Sequence, residues 1–188
     1  MTSEETRMFR EAAQVLLMLL RCISMKRALG VSSDDHLNFF RLYDSCLTDG
    51  AVLAWCKIFG SKNNEKLHWQ KLFPSSCTAF LNLTGELEKA AGCNLEDLSK
   101  SIRNYRNTFV AHHDLDEAKR AKVHPHLDPL RCTGQLMYAA VFTALYQSGS
   151  SYALPKPDAI MGHNLLTIEK NWESIIAAAR SATADFKD

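Results

Sequence analysis

Arg106 and His112, six residues apart and with Asn107 beside the first, are the side chains of this sequence best suited to chemistry. A guanidinium stabilises a phosphate that gains charge in a transition state. An imidazole gives and takes a proton near neutral pH. Asn107 can orient the phosphate, an attacking hydroxyl or the arginine itself. The combination points to phosphate-ester chemistry, with Arg106, Asn107 and His112 as the candidate catalytic set. Arg103 lies one turn upstream, and His113, Lys119, Arg120 and Lys122 follow. These five are candidate substrate-binding groups for a polyanion. Asp114, Asp116 and Glu117 offset part of that charge along the chain.

The element that must position this set reads as an amphipathic helix. Asn94 is suited to cap it, and Glu96 and Asp97 fall in its first turn, where the helix dipole favours negative charge. Leu95, Leu98, Ile102, Tyr105 and Phe109 then share one face. On an unbroken α-helix, six residues separate Arg106 from His112 by about 9 Å along the axis and roughly 120° around it. Such side chains do not converge on one phosphate. Either the helix ends before His112, or the phosphate is shared with a second subunit across a two-fold axis. The same residues also have plainer uses. Arg106 can pair with Glu96, Asp97 or Asp114, and Asn107 and His112 can cap helix ends.

Arg106-Asn107, four residues and then His112 give the pattern RNxxxxH, within IRNYRNTFVAHHD. This resembles the motif of HEPN domains, all-helical modules common in bacterial toxins and phage-defence proteins. With Asp114 soon after the histidine, the segment looks most like the abortive-infection AbiU-type branch. The resemblance is sharp over Leu95 to Asp116 and only architectural elsewhere. It implies a metal-independent endoribonuclease, without cofactor, acting on RNA as a homodimer whose two motifs meet at the two-fold axis. A ribose 2′-OH would attack the adjacent phosphorus and leave a 2′,3′-cyclic phosphate. An antitoxin protein is a further implied partner. Members that bind without cleaving make the alternative a non-catalytic module for a nucleotide, RNA or partner protein.

The rest of the chain reads as helices around this one. Phe9, Ala13, Leu16, Leu20 and Ile23 step by four, three, four and three, and Gly30 follows as a stop. Ser33, Asp34 or Asp35 can cap a second helix carrying Phe40, Leu47, Ala51, Ala54 and Ile58, with a bend or break at Gly50 and an end at Gly60. Trp69, Leu72 and Phe73 form an apolar cluster before Pro74. Ser75 and Ser76 then open a helix through Phe80, Leu83, Leu87 and Ala91, stopped by Gly92. A polar connection from Asp114 to Pro129 precedes an apolar helix with Leu136, Met137, Ala140, Val141, Ala144 and Leu145. The last helix carries Leu166, Trp172, Ile175, Ile176 and Ala179. With no alternating strand, the expectation is all-α: a single HEPN-like bundle of five or six helices over residues 1–188.

Composition narrows the function classes. A net charge of +1 gives no global field toward nucleic acid or membrane, so any RNA contact needs a local patch. The six cysteines include no CxxC pair, which argues against a disulfide framework or a structural zinc site and for reduced, mostly buried thiols. His124 and His126 can face one ion in an extended segment, but no further ligand stands at a recognisable spacing, so no metal is expected. Trp55, Trp69 and Trp172 sit at helical spacing and read as core. The segment Gly149 to Gly162 is long for a bundle connection, and its Tyr152 and Lys156 can reach a ligand or simply tether helices. The apolar run Ala12 to Leu20 is too short to span a bilayer and lacks the basic flank of a signal peptide, so a cytoplasmic protein is expected, without membrane association.

Overall fold

The computed structural model describes residues 1–30, 38–74, 82–110, 125–150, 154–158 and 163–182. Among them every regular element is helical. Seven α-helices follow in chain order: α1 Ser3–Leu29, α2 Asn38–Phe59, α3 Trp69–Leu72, α4 Leu83–Ala91, α5 Leu95–Tyr105, α6 Leu127–Gln147 and α7 His163–Ala182. A π-helical turn, Arg106–Val110, continues directly from α5. The expectation of five or six helices thus misses α3, a four-residue turn made from the Trp69–Phe73 apolar cluster.

α1 is the axis of the bundle, packed against α2, α6 and α7. Its start is fixed by a capping box, in which Thr2 accepts from the Glu5 backbone N–H at 3.2 Å and the Glu5 carboxylate accepts from Thr2 N–H at 2.7 Å. It ends at Gly30, whose φ of 51° is the left-handed cap conformation that glycine adopts without steric cost. Phe9, Ala13, Leu16, Leu20 and Ile23 are all buried, as their spacing requires.

α2 runs unbroken through Gly50, contrary to the expected bend. There a side chain would crowd the Cys22 sulfur of α1, since a Cβ would lie 3.2 Å from it. Glycine at this point serves helix approach rather than a kink. Phe40, Leu47, Ala51, Ala54 and Ile58 are buried, and the helix stops before Gly60. α6 begins at Leu127, so Pro129 lies in its first turn, where its missing N–H leaves no bond unmade. Trp55 of α2 is wholly buried and donates its indole N–H to Thr133 of α6 at 2.9 Å. Trp69 is buried too, so both tryptophans are core residues.

α4 packs on α6 and on α5, and α5 returns to α2. A smaller cluster, Leu29, Phe40, Leu47 and Ile176, joins the end of α1 and the first half of α2 to α7. Arg180 reinforces it by donating to the Leu29 carbonyl at 3.0 Å while lying over the Phe40 ring. Ile175 points away from that cluster and is exposed. The expected caps Ser33, Asp34 and Asp35, and the expected helix start at Ser75 and Ser76, lie outside the described residues. The described part of that helix begins at Leu83 and ends at Gly92, with φ 69°.

The long connection after α6 is tied down at two described positions. Arg10 donates to the Ser150 carbonyl at 3.1 Å, and the Tyr138 hydroxyl donates to the Pro155 carbonyl at 2.7 Å. Lys156 is exposed, and Tyr152 lies outside the described residues. The cysteines are less buried than expected. Of the five described, only Cys56 is buried; Cys22 and Cys132 are half-buried, and Cys46 and Cys93 are exposed, all as free thiols. Cys46 lies on the outer face of α2 and Cys93 in the turn after α4, where no neighbouring helix covers them.

No described helix is long and apolar enough to cross a membrane.

Candidate functional site

The site grows from α5. Asn94 caps it as expected, its side-chain oxygen accepting from the backbone N–H groups of Glu96 at 3.0 Å and Asp97 at 3.2 Å. Glu88 of α4 reaches the same helix start, accepting from Leu95 N–H at 3.2 Å and from the Asn94 amide at 2.9 Å. Leu95 and Ile102 are buried, and Leu98, Tyr105 and Phe109 are half-buried, so one face of the element is committed to the bundle. The opposite side carries Lys100, Arg103, Asn104, Arg106 and Asn107.

At Arg106 the α-helical register gives way to the π turn. The Tyr105 and Phe109 rings stay in contact within this change, tilted at 35° with their centres 5.0 Å apart. A π turn adds a residue per turn, so the side chains of Arg106–Val110 depart from α-helical positions. Of the two alternatives left open by the sequence, a change in the helix before His112 is present, since the α-helical register ends at Tyr105.

Arg106 is held from several sides. Its Nε and one terminal nitrogen donate to the Asn107 side-chain oxygen at 3.2 and 3.1 Å. The other terminal nitrogen donates to Glu65 at 3.4 Å. Of the three orientations open to Asn107, the structure displays the one in which it braces the arginine. Glu65 is a partner of Arg106 that the sequence did not point to, in place of Glu96, Asp97 or Asp114. It stands 41 positions away, in the connection between α2 and α3, with no local signal of the contact. Both partners are about three-quarters buried, with side-chain exposures of 24% and 23%. Beneath them Cys56 of α2 lies against the guanidinium. Burial pushes its thiol up to about 11, although Arg106 and Arg103 pull the other way.

The Glu65 connection is itself anchored. His68 is buried, 5% exposed, and its Nδ1 accepts from Gln70 N–H at 3.2 Å to cap α3. Burial, then the cations Lys62 and Lys71, push its pKa down to about 4 against an opposing bond with the Gly60 backbone. The imidazole is therefore neutral and structural. Its ring centre lies 6.0 Å from that of Trp69. At the other end, Ser99 of α5 donates to the Phe59 carbonyl at 2.8 Å, pinning the end of α2 to the motif helix.

These elements enclose two adjoining clefts. One, about 630 Å³, is lined by the exposed side of α5 and the π turn together with Ser61 and Asn64. Its charged side chains are Lys100, Arg103 and Arg106 against Asp97, a cationic excess suited to an anion. The other, about 460 Å³, shares Ser61 and Arg103 with the first and extends past Trp69 toward Glu88 and Glu96.

Among the expected site residues, the structure brings Arg103, Arg106 and Asn107 together on one cleft. His112, His113, Lys119, Arg120 and Lys122 lie outside the described residues, as do Asp114, Asp116, Glu117 and His124. His126 occupies the N-cap position of α6. Among the described residues no cluster of histidine, cysteine and carboxylate side chains has the makings of a metal site. No protein-family model, curated protein or solved structure matches the chain.

Proposed function

We propose that this protein is a metal-independent endoribonuclease of the HEPN type, acting in bacterial stress or phage defence as a homodimer. The observation that carries the reading is a braced arginine at a cationic cleft: Arg106, fixed by Asn107 and Glu65, beside Arg103 and Lys100. A guanidinium already held in place needs little reorganisation when charge develops on a phosphate, which is the condition for electrostatic catalysis. The π turn supports the same reading, because such turns are frequent at functional sites.

In this scheme the RNA 2′-OH attacks the neighbouring phosphorus and the bond to the 5′-oxygen breaks. Arg106 neutralises the non-bridging oxygens, and Asn107 keeps the guanidinium aimed. His112 takes the 2′-OH proton or supplies one to the departing 5′-oxygen. The products are a 2′,3′-cyclic phosphate and a 5′-hydroxyl. The ion pair with Glu65 also favours a second reading, a module that binds a phosphate without cleaving it, since Arg106 is partly neutralised before any ligand arrives.

The two readings separate in one experiment. Structured and single-stranded RNAs are incubated with the protein and with His112→Ala and Arg106→Ala, and fragment ends are analysed. Loss of the proton-transfer group should slow cleavage by about 10²–10⁴-fold, and loss of Arg106 by about 10²–10³-fold. Fragments from the unmodified protein should end in 2′,3′-cyclic phosphate, with chelators having no effect. Equal cleavage by the unmodified protein and His112→Ala would refute the catalytic assignment. RNA bound but never cut would favour the non-catalytic module.

A further inference from the structure

The second cleft has no part in the scheme above, yet it adjoins the first through Ser61 and Arg103. Its chemistry differs. Lys62 and Arg103 are balanced by Glu88 and Glu96, so the cationic excess of the first cleft is absent. The α5 N-terminus in its wall is also unavailable to an anion. The N–H groups of Leu95, Glu96, Asp97 and Leu98 are taken by Glu88, by the Asn94 side chain twice and by the Asn94 carbonyl. A phosphate thus has its place in the first cleft and none in the second. What suits the second is an uncharged group with both donors and acceptors. Its volume of about 460 Å³ lies in the range of small-molecule sites.

We infer that this cleft is a nucleobase subsite that selects guanine, next to the phosphate held at Arg106. The inference rests on the phosphate-binding reading of the Arg106 cleft. Guanine carries two adjacent N–H donors, N1–H and the N2 amino group, on one edge, and two acceptors, O6 and N7, on the next. Carboxylates accept from paired donors, and arginine or lysine donates to O6 and N7. Glu88 and Glu96 supply the first kind of group, and Lys62 and Arg103 the second. Uracil offers one ring N–H between two carbonyls, and adenine and cytosine a single amino group. None of the three matches both sets at once. Arg103, common to both clefts, would lie between the phosphate and the base it belongs to.

The test measures binding of the four nucleoside 3′-monophosphates by calorimetry, to the unmodified protein and to the double variant Glu88→Gln/Glu96→Gln. Glutamine keeps an oxygen for the helix cap at position 88 while removing the charge, and far-UV circular dichroism checks the fold. The guanine nucleotide should bind about tenfold more tightly than the other three, the lower part of the range for one bidentate base contact. That preference should disappear in the double variant, with the uridine nucleotide unaffected. Equal affinity for all four, no binding of any, or a guanine preference that survives in the double variant would each overturn the inference. RNA cleavage is scored separately. Cutting without preference for guanine refutes the subsite and leaves the nuclease reading standing, whereas guanine-selective binding without cutting does the reverse.

Discussion

Arg106 is held by groups on three sides. Asn107 fixes the plane of the guanidinium, Glu65 fixes its outer edge and Cys56 lies beneath. Glu65 in turn depends on a connection whose far end is secured by His68, so the neutral imidazole acts on the site only through position. This gives His68 a measurable signature. Its pKa is about 4 in the fold and near 6.5 in an unfolded chain, so between these values the unfolded state binds more protons. The contribution of His68 is complete above pH 6.5 and is lost as the pH falls toward 4, by up to about 3 kcal/mol. Asparagine at this position keeps a capping oxygen for Gln70 but does not titrate. Thermal melts from pH 7 to pH 4.5 should therefore show a shallower loss of Tm for His68→Asn than for the unmodified protein. Identical slopes would mean that the buried imidazole does not govern acid stability.

At the scale of elements, the bundle is held where helices cross closely and where single polar bonds link buried faces. Trp55 and Thr133 form such a bond between α2 and α6. Thr133→Val preserves shape but strands the indole N–H in the core, at a cost of about 1–3 kcal/mol. Thr133→Ser keeps the hydroxyl and should cost less. Urea midpoints measure both, and equal losses would assign the cost to packing rather than to the hydrogen bond. The parts of this architecture that were legible in the sequence are those written in near neighbours. The period of Phe9 to Ile23, the stop at Gly30, and Asn94 before Glu96 and Asp97 all involve residues within a turn or two of each other. Features that depend on distant packing were not legible. The unbroken α2 at Gly50 reflects the approach of Cys22 on another helix, and the partner of Arg106 comes from a separate connection. The π turn has no glycine or proline to announce it. The candidate site divides in the same way: residue types and spacing pointed to Arg103, Arg106 and Asn107, while Glu65, Lys100 and the two clefts needed the fold.

At the scale of the whole molecule, net charge does little to keep two copies apart, since the formal charge of +1 gives weak mutual repulsion. The exposed side of α5 and the π turn can then face its symmetry copy across a two-fold axis, bringing two sets of Arg103, Arg106 and Asn107 to one cleft. In this arrangement the arginine of one copy can serve a phosphate reached by the histidine of the other. Light scattering at micromolar concentration should therefore report about twice the 21.1 kDa chain mass. A sharper test uses two inactive proteins. Arg106→Ala and His112→Ala are each mixed with themselves and with one another under conditions that allow subunit exchange. If the phosphate is shared, half of the exchanged dimers join the two variants, and each carries one complete Arg106–His112 pair of the two it would normally have. Activity should return to about a quarter of that of the unmodified protein. A pair completed within one chain predicts no recovery, because every chain in the mixture then lacks one of its own two groups. A strict monomer, or a mixture as inactive as its components, would remove the composite site.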